Sequence, residues 1–222
     1  TDRGNYTENS FAGIAIGKNT NIQEAGNPTY YSGLAIGNYA QATGGISFAL
    51  GHYAQALSPS AMALGTATKA SGFNSLAMMR QSAAEGEFST ALGTASWAKG
   101  NGSFAMGYSA TAKADQSIAI GAAETIKLPG QQHGTPSAQY NANGNTVTEG
   151  VRSLAFGTKA RTSTAAADSM AFGSSSSTGG AIAVAMGYSA NASAENAFAI
   201  GNTAQSSAQN AVAMGKSANA SG

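Results

Sequence analysis

Histidine, cysteine and carboxylate side chains carry most acid–base and metal chemistry in proteins. This chain of 222 residues has only two His, ten Asp plus Glu and no Cys. His52 and His133 lie far apart, and neither has a Cys, Asp or Glu at the spacing of a metal-ligand set. Glu85 and Glu87 share one short stretch and read as solvated carboxylates rather than an acid–base pair. No G-x-S-x-G elbow occurs, and no G-x-G-x-x-G opens a helix. A calcium-binding roll needs recurring Asp, and the only Asp are Asp2, Asp115 and Asp168. The reading is therefore no catalytic residue, no metal, no cofactor and no enzyme. Sequons at Asn5, Asn101, Asn191 and Asn219 read as accidents of an Asn- and Ser-rich chain.

The chain does carry recognition chemistry. Trp, Tyr and Arg supply most contact energy in binding sites, and Trp97, Arg80, Tyr39 and Tyr53 are the candidates here. His52, Tyr108 and Tyr188 are further outward rings. Lys127, His133 and Tyr140 join the candidates because they fall in a segment rich in Pro and Gly that interrupts the pattern described next.

A five-residue pattern positions all of these side chains. It reads small, apolar, Ala, apolar, Gly, as in Ser47-Phe-Ala-Leu-Gly51 and Ser103-Phe-Ala-Met-Gly107. Thirteen copies end at residues 17, 37, 51, 65, 79, 93, 107, 121, 157, 173, 187, 201 and 215, and most steps are 14 residues. A fixed short period means a solenoid of stacked repeats. Fourteen residues are too few for two helices, and the alternation has period 2. Each repeat is therefore predicted to hold two short strands and two turns, in an all-β roll. At about 4.8 Å per coil, thirteen coils predict a rod of roughly 60 Å. Insertions are expected near 23–30, 126–148 and 165–168, giving one domain over 1–222.

Counting from the last motif residue as position zero, Ala or another small residue recurs at +3 and +5, with a polar residue between. Examples are Ala40-Gln41-Ala42 and Ala190-Asn191-Ala192. The second strand thus has a small inward face and a wet outward face. The first strand has no charge on either face. Its large apolar residues line either the roll interior or a contact with another copy: Ile14 and Ile16, Leu34 and Ile36, Phe48 and Leu50, Met62 and Leu64, Phe104 and Met106, Ile118 and Ile120, Leu154 and Phe156, Phe172, Met186, Phe198 and Ile200, and Met214. Both assignments remain open. Either way, one uncharged face is repeated over thirteen coils and needs a cover, and a second copy is the simplest one.

Composition agrees. Ala (48), Gly (29) and Ser (27) make nearly half the chain, too little bulk for a conventional core. Eleven basic against ten acidic residues give no field for nucleic acid. No apolar run reaches the length of a spanning helix.

The unit S-φ-A-φ-G followed by x-x-A-x-A, as in Asn101-Gly-Ser-Phe-Ala-Met-Gly107 and Gln116-Ser-Ile-Ala-Ile-Gly121, resembles the head repeats of YadA-like trimeric autotransporter adhesins. The resemblance covers about residues 10–222. It implies a left-handed parallel β-roll, a homotrimer, and display on the outer membrane of a Gram-negative bacterium. It also implies binding of host matrix proteins (collagen, fibronectin, laminin) or of a host receptor such as a carcinoembryonic-antigen-related adhesion molecule. Family members continue into a neck, a stalk and a membrane anchor. This chain stops mid-repeat at Ser221-Gly222, as a head fragment would. Two further readings of a regular solenoid are an ice-binding surface, disfavoured because no Thr-x-Thr column exists, and a passive spacer without its own ligand. Met79 stands where the motif has Gly, and a strained or reshaped coil is expected there.

Overall fold

The computed structural model describes residues 6–8, 13–23, 33–123 and 144–222. Of the expected insertions, residues 24–32 and 124–143 lie outside the described residues. The described residues fall into two compact units, up to Asn101 and from Gly102 onward, and both are parallel β-solenoids with coils of about 14 residues.

In the first unit, three-residue strands from Ile14–Ile16 to Thr90–Leu92 form one parallel sheet. Mostly two-residue strands, from Tyr6–Glu8 and Asn21–Gln23 to Trp97–Ala98, form the other. The second unit repeats the plan, with long strands from Phe104–Met106 to Val212–Met214 and short ones from Thr111–Ala112 to Asn219–Ala220. Register follows the motif. Ala49 pairs with Ala63 and Ala63 with Ala77, so identical positions stack coil on coil. Val147–Thr148, at the end of the insertion expected near 126–148, is itself a short strand in register with Thr111–Ala112 and Arg161–Thr162. Near 165–168 the turn between Arg161–Thr162 and Met170–Phe172 has two residues more than the regular one between Gln41–Ala42 and Phe48–Leu50.

Burial resolves the two faces of the long strand. The central Ala of the motif is inside: Ala49, Ala63, Ala77, Ala105 and Ala119 are all 0 % exposed. The short strand turns its +3 and +5 residues toward them, among them Ala54, Ala56, Ala110 and Ala112. The large apolar neighbours all point outward, so none of the residues from Ile14 to Met214 named above lines the interior. The largest fully buried side chains are Gln81 and a few threonines.

Inside this narrow space, hydroxyls pair when a partner stands nine residues on. The Ser153 hydroxyl donates to the Gly150 carbonyl at 2.6 Å and lies 2.7 Å from Thr162 Oγ1. Ser169 does the same with Ala166 and Thr178, at 2.7 and 2.9 Å. Where that place holds Ala, as at Ala84 and Ala98, the buried hydroxyls of Ser75 and Ser89 have no hydrogen-bond partner. An unpartnered buried hydroxyl costs about 1–3 kcal/mol.

The motif glycine turns the chain out of the long strand with φ between +116° and +156°. A Cβ on Gly51 would stand 2.5 Å from the Gly65 carbonyl oxygen of the next coil. Met79 occupies this place by moving to φ +82°, and the neighbouring ladder opens: Gly93 N to Met78 O is 3.2 Å, against 2.8 Å for Gly51 N to Ile36 O and Gly65 N to Leu50 O. The expected local reshaping is thus present. Met79→Gly should remove left-handed strain of about 1 kcal/mol and raise the thermal midpoint, read by circular dichroism. In the same assay Ser89→Ala should leave stability unchanged or raise it, whereas Ser153→Ala should cost about 1 kcal/mol.

Candidate interaction surfaces

Three outward surfaces follow from the coil plan. The first is the long-strand face. In the first unit Phe48, Met62 and Met78 stand 36–38 % exposed along it. In the second unit Met106 (46 %), Phe156 (41 %), Phe172 (44 %) and Met186 (40 %) do the same, and the Phe156 and Phe172 rings stack at 4.9 Å. Among the described residues, no charged residue stands in any long strand. The face carries only apolar side chains and Thr90, because strand alternation sends every other residue out and the interior admits only the small ones.

The second surface is the turn after the motif glycine. Tyr39 and Tyr53 occupy the same place in successive coils, both with left-handed φ near +60°. Coil stacking brings their rings parallel at 4.6 Å. The exposed His52 ring meets Tyr53 edge-on at 4.3 Å and Tyr39 at 6.2 Å. The sequence reading nominated these three separately, and the structure makes them one aromatic cluster. Arg80 stands one residue after Met79, the place His52 holds two coils earlier.

The third surface is the outer face of the short strands. Register puts Lys69, Ala83 and Trp97 in one column. Glu85, two residues beyond Ala83, bridges the other two: one carboxylate oxygen accepts from Lys69 Nζ and the other from Trp97 Nε1, both at 3.0 Å. Lys99 lies over the indole, 5.6 Å from its centroid. Together these side chains cover Ala83, which is 1 % exposed on an outward position. Glu85, expected to be solvated, is instead the centre of this cluster. The signal was available in the period, since residues 69, 83 and 97 are 14 apart and Glu85 lies on the same strand face as Ala83. Trp97 therefore takes its polar partners from Glu85 and Lys99. Lys127, His133 and Tyr140 lie outside the described residues.

The second unit carries two comparable ion pairs. Lys113 Nζ reaches Glu149 at 2.6 Å. Arg152 and Asp168 form a two-pronged pair at 2.6 and 2.7 Å, and the guanidinium hydrogen bonds hold the Asp168 carboxyl below its ordinary range. The Arg152–Asp168 pair is solvent-exposed and contributes little to stability, while Lys113–Glu149 is partly buried.

The chain matches the family model described as YadA head domain repeat (2 copies), over residues 31–54, 56–78, 80–96, 84–108, 98–123, 149–176, 183–204 and 206–222. These segments cover well over half of the sequence, and the chain belongs to the YadA head family. The family is that of trimeric autotransporter adhesin heads, surface proteins of the outer membrane that are typically non-enzymatic. No curated protein matches the sequence.

Because the chain has a single Trp, the third surface can be read optically. Glu85→Ala should shift Trp97 fluorescence as the indole N–H loses its acceptor, while changing unfolding stability by less than about 1 kcal/mol.

Proposed function

We propose that this chain is the host-binding head of a trimeric adhesin on a Gram-negative bacterium, and that three copies associate through the outward face of the long-strand sheets. The observation that carries the reading is the apolar strip, present in both units, whose residues are half-buried or exposed and include Phe48, Met106, Phe172 and Met214 at 36–67 %. Soluble monomers rarely leave a contiguous apolar surface of this kind uncovered. The strip is the same on every copy, which makes self-association its simplest cover, and the number three follows from the family.

The ligand is a host matrix protein (collagen, fibronectin or laminin) or a host cell-surface receptor of the carcinoembryonic-antigen-related kind. Contacts come from Trp97, Arg80, Tyr39 and Tyr53, with Lys127, His133 and Tyr140 as further candidates. Three copies of each contact on one head multiply modest affinities against repetitive targets.

The mass in solution tests the assembly. Three chains of 21.9 kDa give about 66 kDa by light scattering on a sizing column. Phe104→Asp or Ile118→Asp puts a charge on the outer strip, not in the interior. Each variant should keep its strand spectrum and run at the mass of one chain. Wild-type protein that runs as a single chain at every concentration would overturn the assembly. Assembled protein that binds none of the immobilised matrix proteins or receptor ectodomains would overturn the ligand.

A further inference from the structure

All sulfur in this protein lies on its outside. The chain has seven Met and no Cys. Every one of the seven is 37–67 % exposed: Met62, Met78, Met106, Met170, Met186 and Met214 in the long strands, and Met79 at the motif turn. None of the strand methionines faces the interior, where the same strands place Ala63, Ala77, Ala105, Ala171, Ala185 and Ala213. Packing alone does not require sulfur on the strip, because equivalent places in other coils hold Leu50, Leu64, Leu76 and Ile200.

We propose that the six strand methionines are oxidation sites that decide whether the chain can assemble. The proposal rests on the self-association reading above. Hydrogen peroxide transfers one oxygen to a thioether. The sulfur lone pair forms the S–O bond, the O–O bond breaks, and the departing hydroxide takes the remaining proton as water. Sulfur is oxidised by two electrons and peroxide is reduced by two. The product is a polar sulfoxide in the middle of an apolar contact, where its oxygen has no donor to meet. In a single chain all six sulfurs are open to this reaction. In the assembled head the same sulfurs are covered. Oxidation therefore acts on chains before they associate, and an assembled head resists it. The change is reversible, because sulfoxide reductases restore the thioether.

The test begins with the untreated full chain on a sizing column with light scattering. A single-chain mass in this first sample overturns the assembly reading, and this inference with it, before any oxidant is used. Chains separated in denaturant are then treated with hydrogen peroxide, quenched with catalase and refolded. They should recover the strand spectrum yet run at 21.9 kDa, and methionine sulfoxide reductases with a thiol reductant should return them to the assembled mass. Assembled protein given the same dose should keep its mass, with Met106 and Met186 several-fold less oxidised by peptide mass spectrometry than in separated chains. The variant with Leu at residues 62, 78, 106, 170, 186 and 214 should assemble after peroxide as fully as before. If that variant does not fold, the reductase rescue decides. The inference is overturned if oxidised wild-type chains assemble as completely as untreated ones, lose their strand spectrum, or are not rescued by the reductases. Equal oxidation of Met106 and Met186 in the assembled and separated states overturns it too.

Discussion

The space between the two sheets of each unit is filled mainly by methyl groups and hydroxyls, with Ile22 a larger exception in the first unit, and the other features follow from that narrow width. Ala49 and Ala63 face Ala54 and Ala56 with no solvent exposure at any of them. Burying Ala removes little apolar area, so such an interior gains far less from water exclusion than a core of Leu and Phe. Order comes instead from the backbone ladders that join each coil to the next, such as Phe48 N to Ala61 O and Gln55 N to Thr68 O, both 2.9 Å. A substitution that widens one coil therefore disturbs the hydrogen bonds of its neighbours, as the longer Gly93–Met78 bond beside Met79 illustrates.

The same width exports the hydrophobic residues. In an ordinary domain Phe, Met and Ile form the core and hold one chain together. Here they stand on an outer face, where their burial can be gained only by association. Folding draws on ladders and small residues, while the proposed self-association draws on large side chains, so the two steps would use separate sets of residues within the same strands. A charge at Ile118 and a methyl group on Gly51 should consequently fail in different ways, the first in association and the second in folding.

Much of this was legible in the sequence. The 14-residue step fixed the solenoid, and the alternation at Ala40-Gln41-Ala42 gave the inward face of the short strand. The absent glycine at Met79 marked the irregular turn. The long strand was ambiguous for a physical reason: Ala and Phe are both uncharged, and polarity alone does not say which side is wet. Only the separation of the sheets decides it. Glu85 was misread because its partners, Lys69 and Trp97, are 16 and 12 residues away and become neighbours only through register. The Tyr39–Tyr53 stack needed the same information.

The turn after the motif place has one further consequence. Its second residue holds φ between +52° and +61° in coil after coil, yet the side chain there is Asn19, Tyr39, Ala67, Gln81, Lys159 or Thr203. The backbone at this edge is dictated by the turn and the ladder, even after Met79, and not by the residue that occupies it. Where this side chain reaches solvent, as at Tyr39, Lys159 and Thr203, its chemistry is free to vary without re-solving the fold, whereas Ala67 and Gln81 are buried. A surface built in this way can exchange its side chains one coil at a time while the ladders that hold the coils together stay the same.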